Sequence, residues 1–411
     1  MHNRIGRNKA GVAFALAMLV TSTSALAQTS IAPLVQGNDP EYEIDPITVG
    51  SVLVSPQVLA EAIYDDNFIA APDGAELDDV EFIVRPELNA RAGNEVVRFD
   101  LFTFAELSRF ADYASENSDT YGVSGRVLYS PNASDQLIVD GGYARLKEDR
   151  GDPEARDATD LGPRLFDSTF ASVNYRRTGA RTLLSVDAGY RNLDAVSPLD
   201  DERDFATYTG SVTAGYRVSG PFYATVTGFV TARDFNLEGT LDDPDRDAKT
   251  YGAQAGVSFV ESERLRGRAR LGFFRFDPSD PMVDSRTGFS ADVSVTYLPT
   301  RRIALILDAF NGDVATFRGG AQARTDTRVS LTGQVEMRHN LYGRAGLRLV
   351  RSRFIGSGVE ERILGSSVAV EYLANRRLSL IAEIDAADRS SDDPTQEFDR
   401  FRASVGARIR F

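Results

Sequence analysis

Eighteen stretches of this 411-residue chain alternate apolar with polar or small side chains, and the connections joining them alternate between short and long. A period of 2 puts successive side chains on opposite faces, which a strand does and a helix cannot. In Phe289 to Tyr297 (FSADVSVTY), Phe289, Ala291, Val293, Val295 and Tyr297 stand opposite Ser290, Asp292, Ser294 and Thr296. Tyr121 to Tyr129, Thr207 to Tyr216 and Tyr251 to Phe259 repeat the layout, with aromatic residues near the ends of the apolar phase. Strands are expected to begin near Ser51, Val80, Val96, Thr120, Asp135, Arg164, Arg181, Phe205 and Pro221. The remaining nine begin near Lys249, Leu265, Arg286, Arg301, Asp326, Leu341, Arg362, Arg377 and Phe398.

Short connections are expected at Arg91–Glu95, Pro131–Ser134, Thr178–Ala180, Ser219–Gly220, Glu261–Arg264, Pro299–Thr300, Arg338–Asn340 and Ala374–Arg376. Longer ones fall at Asp65–Asp78, Phe110–Asp119, Lys147–Pro163, Asp194–Asp204, Phe235–Ala248, Asp277–Ser285, Asn311–Thr325, Phe354–Glu361 and Ala386–Glu397. An antiparallel up-and-down transmembrane β-barrel has this layout, with turns on one side of the membrane and loops on the other. The fold expected is therefore all-β, a barrel of about 18 strands with both termini in the periplasm. Aromatic residues at the strand ends agree, since their rings sit at the headgroup level.

The last strand, Phe398 to Phe411 (FDRFRASVGARIRF), sets Phe401, Val405, Ile409 and Phe411 in one phase and Arg402, Arg408 and Arg410 in the other. Hydrocarbon cannot hydrogen-bond a free strand edge, so this strand is expected to pair with the one near Val52 and close the barrel. Phe401, Val405, Ile409 and the terminal Phe411 are read as the signal that barrel-assembly machinery meets.

At the other end, Arg4, Arg7 and Lys9 precede an apolar run from Ala10 to Val20, and Ala25-Leu26-Ala27 is an A-x-A cleavage pattern. This is the layout of a secretory signal peptide over residues 1–27. Residues 28–48 read as a flexible periplasmic lead-in and 49–411 as the barrel.

Composition excludes several function classes. Net charge is −14, and −17 without residues 1–27, which carry three basic residues and no acid. Such acidity argues against nucleic acid as a partner. There is no cysteine, so disulfide and thiolate chemistry are out, and His339 is the one histidine beyond the signal segment. It falls in a short turn on the periplasmic side, away from any Ser–His constellation, and no enzyme, cofactor or metal site is expected.

Charges concentrate on the lumen-facing phase. Arg266, Arg268 and Arg270 share one strand, Arg344 and Arg348 another, and Arg402, Arg408 and Arg410 the last. Acids such as Asp140, Asp292, Glu371 and Glu383 hold the same phase elsewhere. One reading is a solvated wall whose opposite charges pair across strands. The other is a selectivity ladder, since rings of charge filter ions and arginine binds anionic oxygens bidentately. The long loops carry Asp65, Asp66, Asp149, Asp152, Asp157, Asp242 and Asp243, among other acids. They match no calcium-loop pattern and read as solvated surface charge that divalent ions could bridge to lipopolysaccharide phosphates.

At the end of the first strand stands Tyr64-Asp65-Asp66-Asn67. With the signal segment, the repeated hairpins and the terminal Phe411, this YDDN motif resembles the outer-membrane β-barrel porins of the type-two family (beta-barrel porin 2). A barrel of about 16 to 18 strands has an aqueous lumen by default, so a passive channel in contact with outer-membrane lipid and lipopolysaccharide is expected, for small solutes, anionic where the arginine ladder selects. The resemblance also leaves open an exporter pore for an anionic surface polysaccharide, working with periplasmic export components. A non-conducting structural or adhesion barrel is the third reading.

Overall fold

The computed structural model describes Tyr42, residues 44–155, 162–236 and 245–260, Ser262, and residues 264–411. The signal segment and most of the lead-in lie outside the described residues. Among the described residues nineteen strands form one antiparallel sheet. They are β1 (Ile47–Val49), β2 (Val52–Asp65), β3 (Asp79–Gly93), β4 (Val97–Phe110), β5 (Ser118–Tyr129), β6 (Asp135–Lys147) and β7 (Leu165–Thr178). There follow β8 (Thr182–Ala195), β9 (Phe205–Ser219), β10 (Phe222–Phe235), β11 (Ala248–Phe259), β12 (Leu265–Pro278) and β13 (Arg286–Thr300). The last are β14 (Ile303–Val314), β15 (Ala323–Arg338), β16 (Leu341–Ile355), β17 (Glu360–Leu373), β18 (Leu378–Ser391) and β19 (Phe398–Arg410). Every strand from β2 onward starts within three residues of its expected position.

β2 to β19 close into an 18-stranded barrel. The seam runs from Arg402 opposite Asp65 to Arg410 opposite Gln57, and the Phe411 amide donates to the Pro56 carbonyl at 3.1 Å. Below that point β19 has run out, and the short β1 takes over the same job by pairing with Val52–Val54. The free edge that hydrocarbon would penalise is thereby covered.

Parity decides which side chains meet lipid. On β12, Leu271 and Phe273 are exposed outward while Phe274 and Phe276 are buried inward; on β19, Phe401, Val405, Ile409 and Phe411 point out. Val405 is 65% exposed and Phe273 66%. A soluble protein does not tolerate a continuous exposed apolar belt, whereas a bilayer requires one.

The connections expected at Asn311–Thr325, Phe354–Glu361 and Ala386–Glu397 are all shorter in the fold, the second turning most tightly. β16 and β17 extend to Ile355 and from Glu360, leaving a tight turn in place of the Phe354–Glu361 loop. Gly356 and Gly358 adopt φ of 102° and 75°, which only glycine takes without strain, and Phe354 donates to Val359 at 2.9 Å.

Within the wall the backbones of β11 and β12 approach closely. A Cβ at Gly272 would lie 1.9 Å from the Ala253 carbonyl oxygen. Gly272→Val is expected to force the two strands apart, a cost of about 3 kcal/mol or more, and so to lower the folded fraction in membranes. Heat-modifiable mobility on gels reads that fraction, and an unchanged ratio would contradict the close approach.

Candidate functional site

The predicted lumen arginines point inward, and most are already neutralised. Asp292 lies 3.1 Å from Arg268 and 2.5 Å from Arg270, and Arg270 also donates to Thr227 at 3.0 Å. Arg344 meets Glu383 at 2.6 Å, while Glu371 takes both Arg408 (2.8 Å) and Arg410 (2.9 Å). Arg402 stands 3.7 Å from Asp149. Partly buried guanidiniums need such partners because desolvation is otherwise costly. Arg266 is exposed and donates to the Ser262 carbonyl at 3.4 Å, and Arg348 makes no ion pair among the described residues.

The YDDN motif works at the closing seam. Asp65 is 4% exposed, and its carboxylate accepts from Arg400 of β19. Asp66 accepts the Phe401 amide at 2.7 Å and returns its own amide to the Phe401 carbonyl. Asn67 donates to the carbonyls of Ala71 and Asp399, both at 2.8 Å, and accepts from the Ala71 amide. Tyr64 alone faces outward, its hydroxyl 3.5 Å from Asp78. Three of the four residues thus tie the first barrel strand to the last above the point where their ladder ends.

The largest departure from expectation is the connection after β6. Asp149 contacts Arg400 at 2.8 Å, the Gly151 carbonyl accepts from Arg389 of β18, and Glu154 meets Arg324 of β15 at 2.5 Å. Arg324, Arg389 and Arg400 all belong to the inward face. A connection between β6 and β7 reaches them only by crossing the interior. Residues 148–155 therefore fold into the barrel at its long-loop end.

A second segment meets it there. Residues 315–322, between β14 and β15, pack Phe317 against Phe205 and Phe235, with ring centroids 5.6 and 5.8 Å apart. Glu154 joins the two segments: its carboxylate accepts from Thr316 Oγ1 (2.6 Å) and from the amides of Phe317 (2.7 Å) and Arg318 (2.6 Å). It does so from a left-handed backbone conformation, φ 68°, which costs a non-glycine residue of order 1 kcal/mol. Arg324, fully buried, binds Glu154 and Asp326 together. Just before the second segment, Asp313 at the end of β14 bonds Arg233 of β10 and Arg286 of β13 at 2.5 and 2.6 Å.

Charge states hold the crossing segment in place. Burial resists ionisation of Asp149, but the Arg400 and Arg402 guanidiniums outweigh it and keep the carboxyl well below the usual carboxylate range. Burial pushes Glu148 up, against the pull of Arg203 and Arg164. Asp65, Asp149 and Asp152 were expected to be solvated surface charges; that is corrected here, because Asp65 and Asp152 are buried and Asp149 is clasped. Asp157, Asp242 and Asp243 lie outside the described residues. No sequence signal near residue 154 marks this role, although an acid-rich long connection beside an arginine-rich wall is the pattern to look for. Among the described residues no group of three or more His, Cys, Asp or Glu could hold a metal ion.

No curated protein matches the chain. Among solved structures it resembles OpdK of Pseudomonas aeruginosa, at 13% identity over 87% of this chain and 99% of that one, with a TM-score of 0.46. OccK2 of the same organism, in complex with glucuronate, aligns at 13% identity over 87% and 98% with a TM-score of 0.46. The siderophore receptor PirA of Acinetobacter baumannii aligns at 8% identity over 87% and 80%, with a TM-score of 0.45. From residue 39 to 411 the sequence matches one outer-membrane family, and the chain belongs to it: the family described as Putative beta-barrel porin 2.

Proposed function

We propose that this porin-like barrel is a passive channel for small solutes that favours anions, narrowed at its outer mouth by the two inward segments. In this reading residues 1–27 direct export, the short turns and both termini face the periplasm, and the long loops face outside. No enzymatic step is involved.

The supporting observation is the distribution of charge along the axis. Arg177, Arg181, Arg217, Arg301, Arg302, Arg376 and Arg377 cluster at or beside the short turns, in a chain whose net charge is −14. Acids gather at the other end, where Asp66, Asp201, Glu202, Asp392 and Asp393 lie in the long connections. A basic vestibule raises the local concentration of anions. Arg266 and Arg348, which make no ion pair among the described residues, extend it into the lumen, where charged rings set selectivity.

Reversal potentials in planar bilayers under a potassium chloride gradient test this. The wild type is expected to favour chloride, and Arg266/Arg268/Arg270→Ala to shift the potential toward potassium. Adding Asp292→Asn, which removes the acid those arginines leave behind, should recover part of the shift. Equal selectivity in all three proteins would end the anion reading.

A further inference from the structure

The aromatic girdle at the long-loop end has a gap. Outward rings stand there on β2 (Tyr64), β3 (Phe82), β5 (Tyr121), β8 (Tyr190), β9 (Tyr208), β11 (Tyr251), β12 (Phe273), β13 (Phe289) and β19 (Phe401). From β14 to β18, five consecutive strands, no outward position in the long-loop half carries an aromatic residue. From Ala291, two residues on from Phe289, the register runs through the outward positions Asn311, Thr327, Arg351, Arg362 and Ser390. Amphipathic rings are what an ordinary headgroup layer selects, so a polar replacement over one sector implies a different neighbour in that sector.

Its charge says which kind. Arg351 and Arg362 stand directly opposite each other on β16 and β17, and like charges in that relation repel. Glu360 holds Arg351 through both oxygens, at 2.5 and 2.9 Å, and also lies 3.4 Å from Arg353. One carboxylate therefore serves two guanidiniums, and Arg362 has no ion-pair partner among the described residues. Asp392 does not supply the missing charge to it, being engaged with the Glu360 amide at 3.0 Å. On the next strands Asp388 and Asp399 stand directly opposite each other, two acids in register. An open groove of about 630 Å³ runs beside the arginines, lined by Arg353, Ile355, Gly356, Glu360, Arg362 and Ser390 among others.

We propose that Arg351, Arg353 and Arg362, on the outer wall of the β16–β17 hairpin, bind the phosphate of a phosphorylated outer-leaflet glycolipid. The fork of arginine matches phosphate oxygens bidentately, and a phosphate between Arg351 and Arg362 turns their repulsion into a shared attraction. The acyl chains then lie along Leu347, Leu364 and Val368, which are exposed on the same face below. Their places beside the β16–β17 turn put these arginines at the rim of the long-loop end, where a headgroup phosphate sits. The inference rests on the reading that the long-loop end faces outside.

Native mass spectrometry of the purified barrel, with lipid A as the probe, tests it. Bis-phosphorylated lipid A is expected to be retained about tenfold more strongly than its dephosphorylated form, and Arg351/Arg353/Arg362→Ala to lose that difference. Arg275→Ala, an outward arginine on β12, should keep it. Equal retention of the two lipids, an equal loss in Arg275→Ala, or competition by inorganic phosphate at the same concentration would each overturn the lipid site. A dimer of the barrel that the triple substitution abolishes would also overturn it, by showing that the sector meets a second copy. Labelling Ser357→Cys in intact cells separates the two readings: an unlabelled hairpin refutes the orientation, whereas a labelled hairpin with no phosphate preference refutes this inference alone.

Discussion

Glu154→Ala is expected to raise single-channel conductance severalfold while leaving the barrel folded. Glu154, in the first inward segment, bonds the second through Thr316, Phe317 and Arg318 and the barrel wall through Arg324. Its removal leaves two backbone amides unsatisfied and leaves fully buried Arg324 with Asp326 as its remaining acid. Breaking one side of a buried ion pair costs about 3–5 kcal/mol. A connecting segment can relieve that cost by moving into water, whereas the wall cannot, so the segments should separate before the barrel unfolds. The left-handed strain at residue 154 is released in the same step. Glu154→Gln, which keeps the acceptor oxygen but not the charge, should fall between the two. Conductance equal to wild type in Glu154→Ala would show that these segments do not limit passage.

Arg400→Ala is expected to weaken both the seam and the inner segment. Arg400 is the common partner of Asp65 on β2 and Asp149 on the crossing connection. Without it two poorly solvated carboxylates lose their main cation, again a cost of about 3–5 kcal/mol. The first and last strands then lose their anchor above the end of their ladder, so the barrel should lose its compact gel mobility at a lower temperature. Conductance should become noisy, because the inner segment loses one of its wall contacts. Arg400→Lys keeps the charge but not the fork and should restore little of the stability. Since the Asp149 carboxyl is held below the usual range, its clasp should persist in mild acid and fail only as pH falls through that depressed value. A wild-type melting temperature in Arg400→Ala would rule out this role.

The two variants separate the functions that one long-loop end combines. Glu154 joins segment to segment, so its loss should read out in passage and hardly in stability. Arg400 joins segment to seam, so its loss should read out in both.

How much of this was legible in the chain differs between wall and interior. The strands were, because each carries its own evidence: Phe289 to Tyr297 reads as a two-faced strand whatever lies elsewhere. The short–long alternation, and with it closure of β19 on β2, followed from counting those strands. The inward phase of Arg268, Arg344 and Arg408 was readable for the same reason, since parity along a strand is a local property.

What the local pattern could not show was which acid each arginine meets and which way a connection folds. Tyr64-Asp65-Asp66-Asn67 stood out as a motif, but its work on Arg400 and Phe401 spans 335 residues of chain. Asp149 and Arg400 are 251 residues apart, and Glu154 and Arg324 170. Period-2 alternation sets the face of each strand side chain because the backbone repeats every two residues. No such rule governs a connection of Glu, Asp and Gly, whose path is settled by the partners it finds after closure. The sequence therefore specified the barrel wall and its two faces, while the narrowed mouth and the phosphate-ready sector of the girdle emerged only once distant strands had become neighbours.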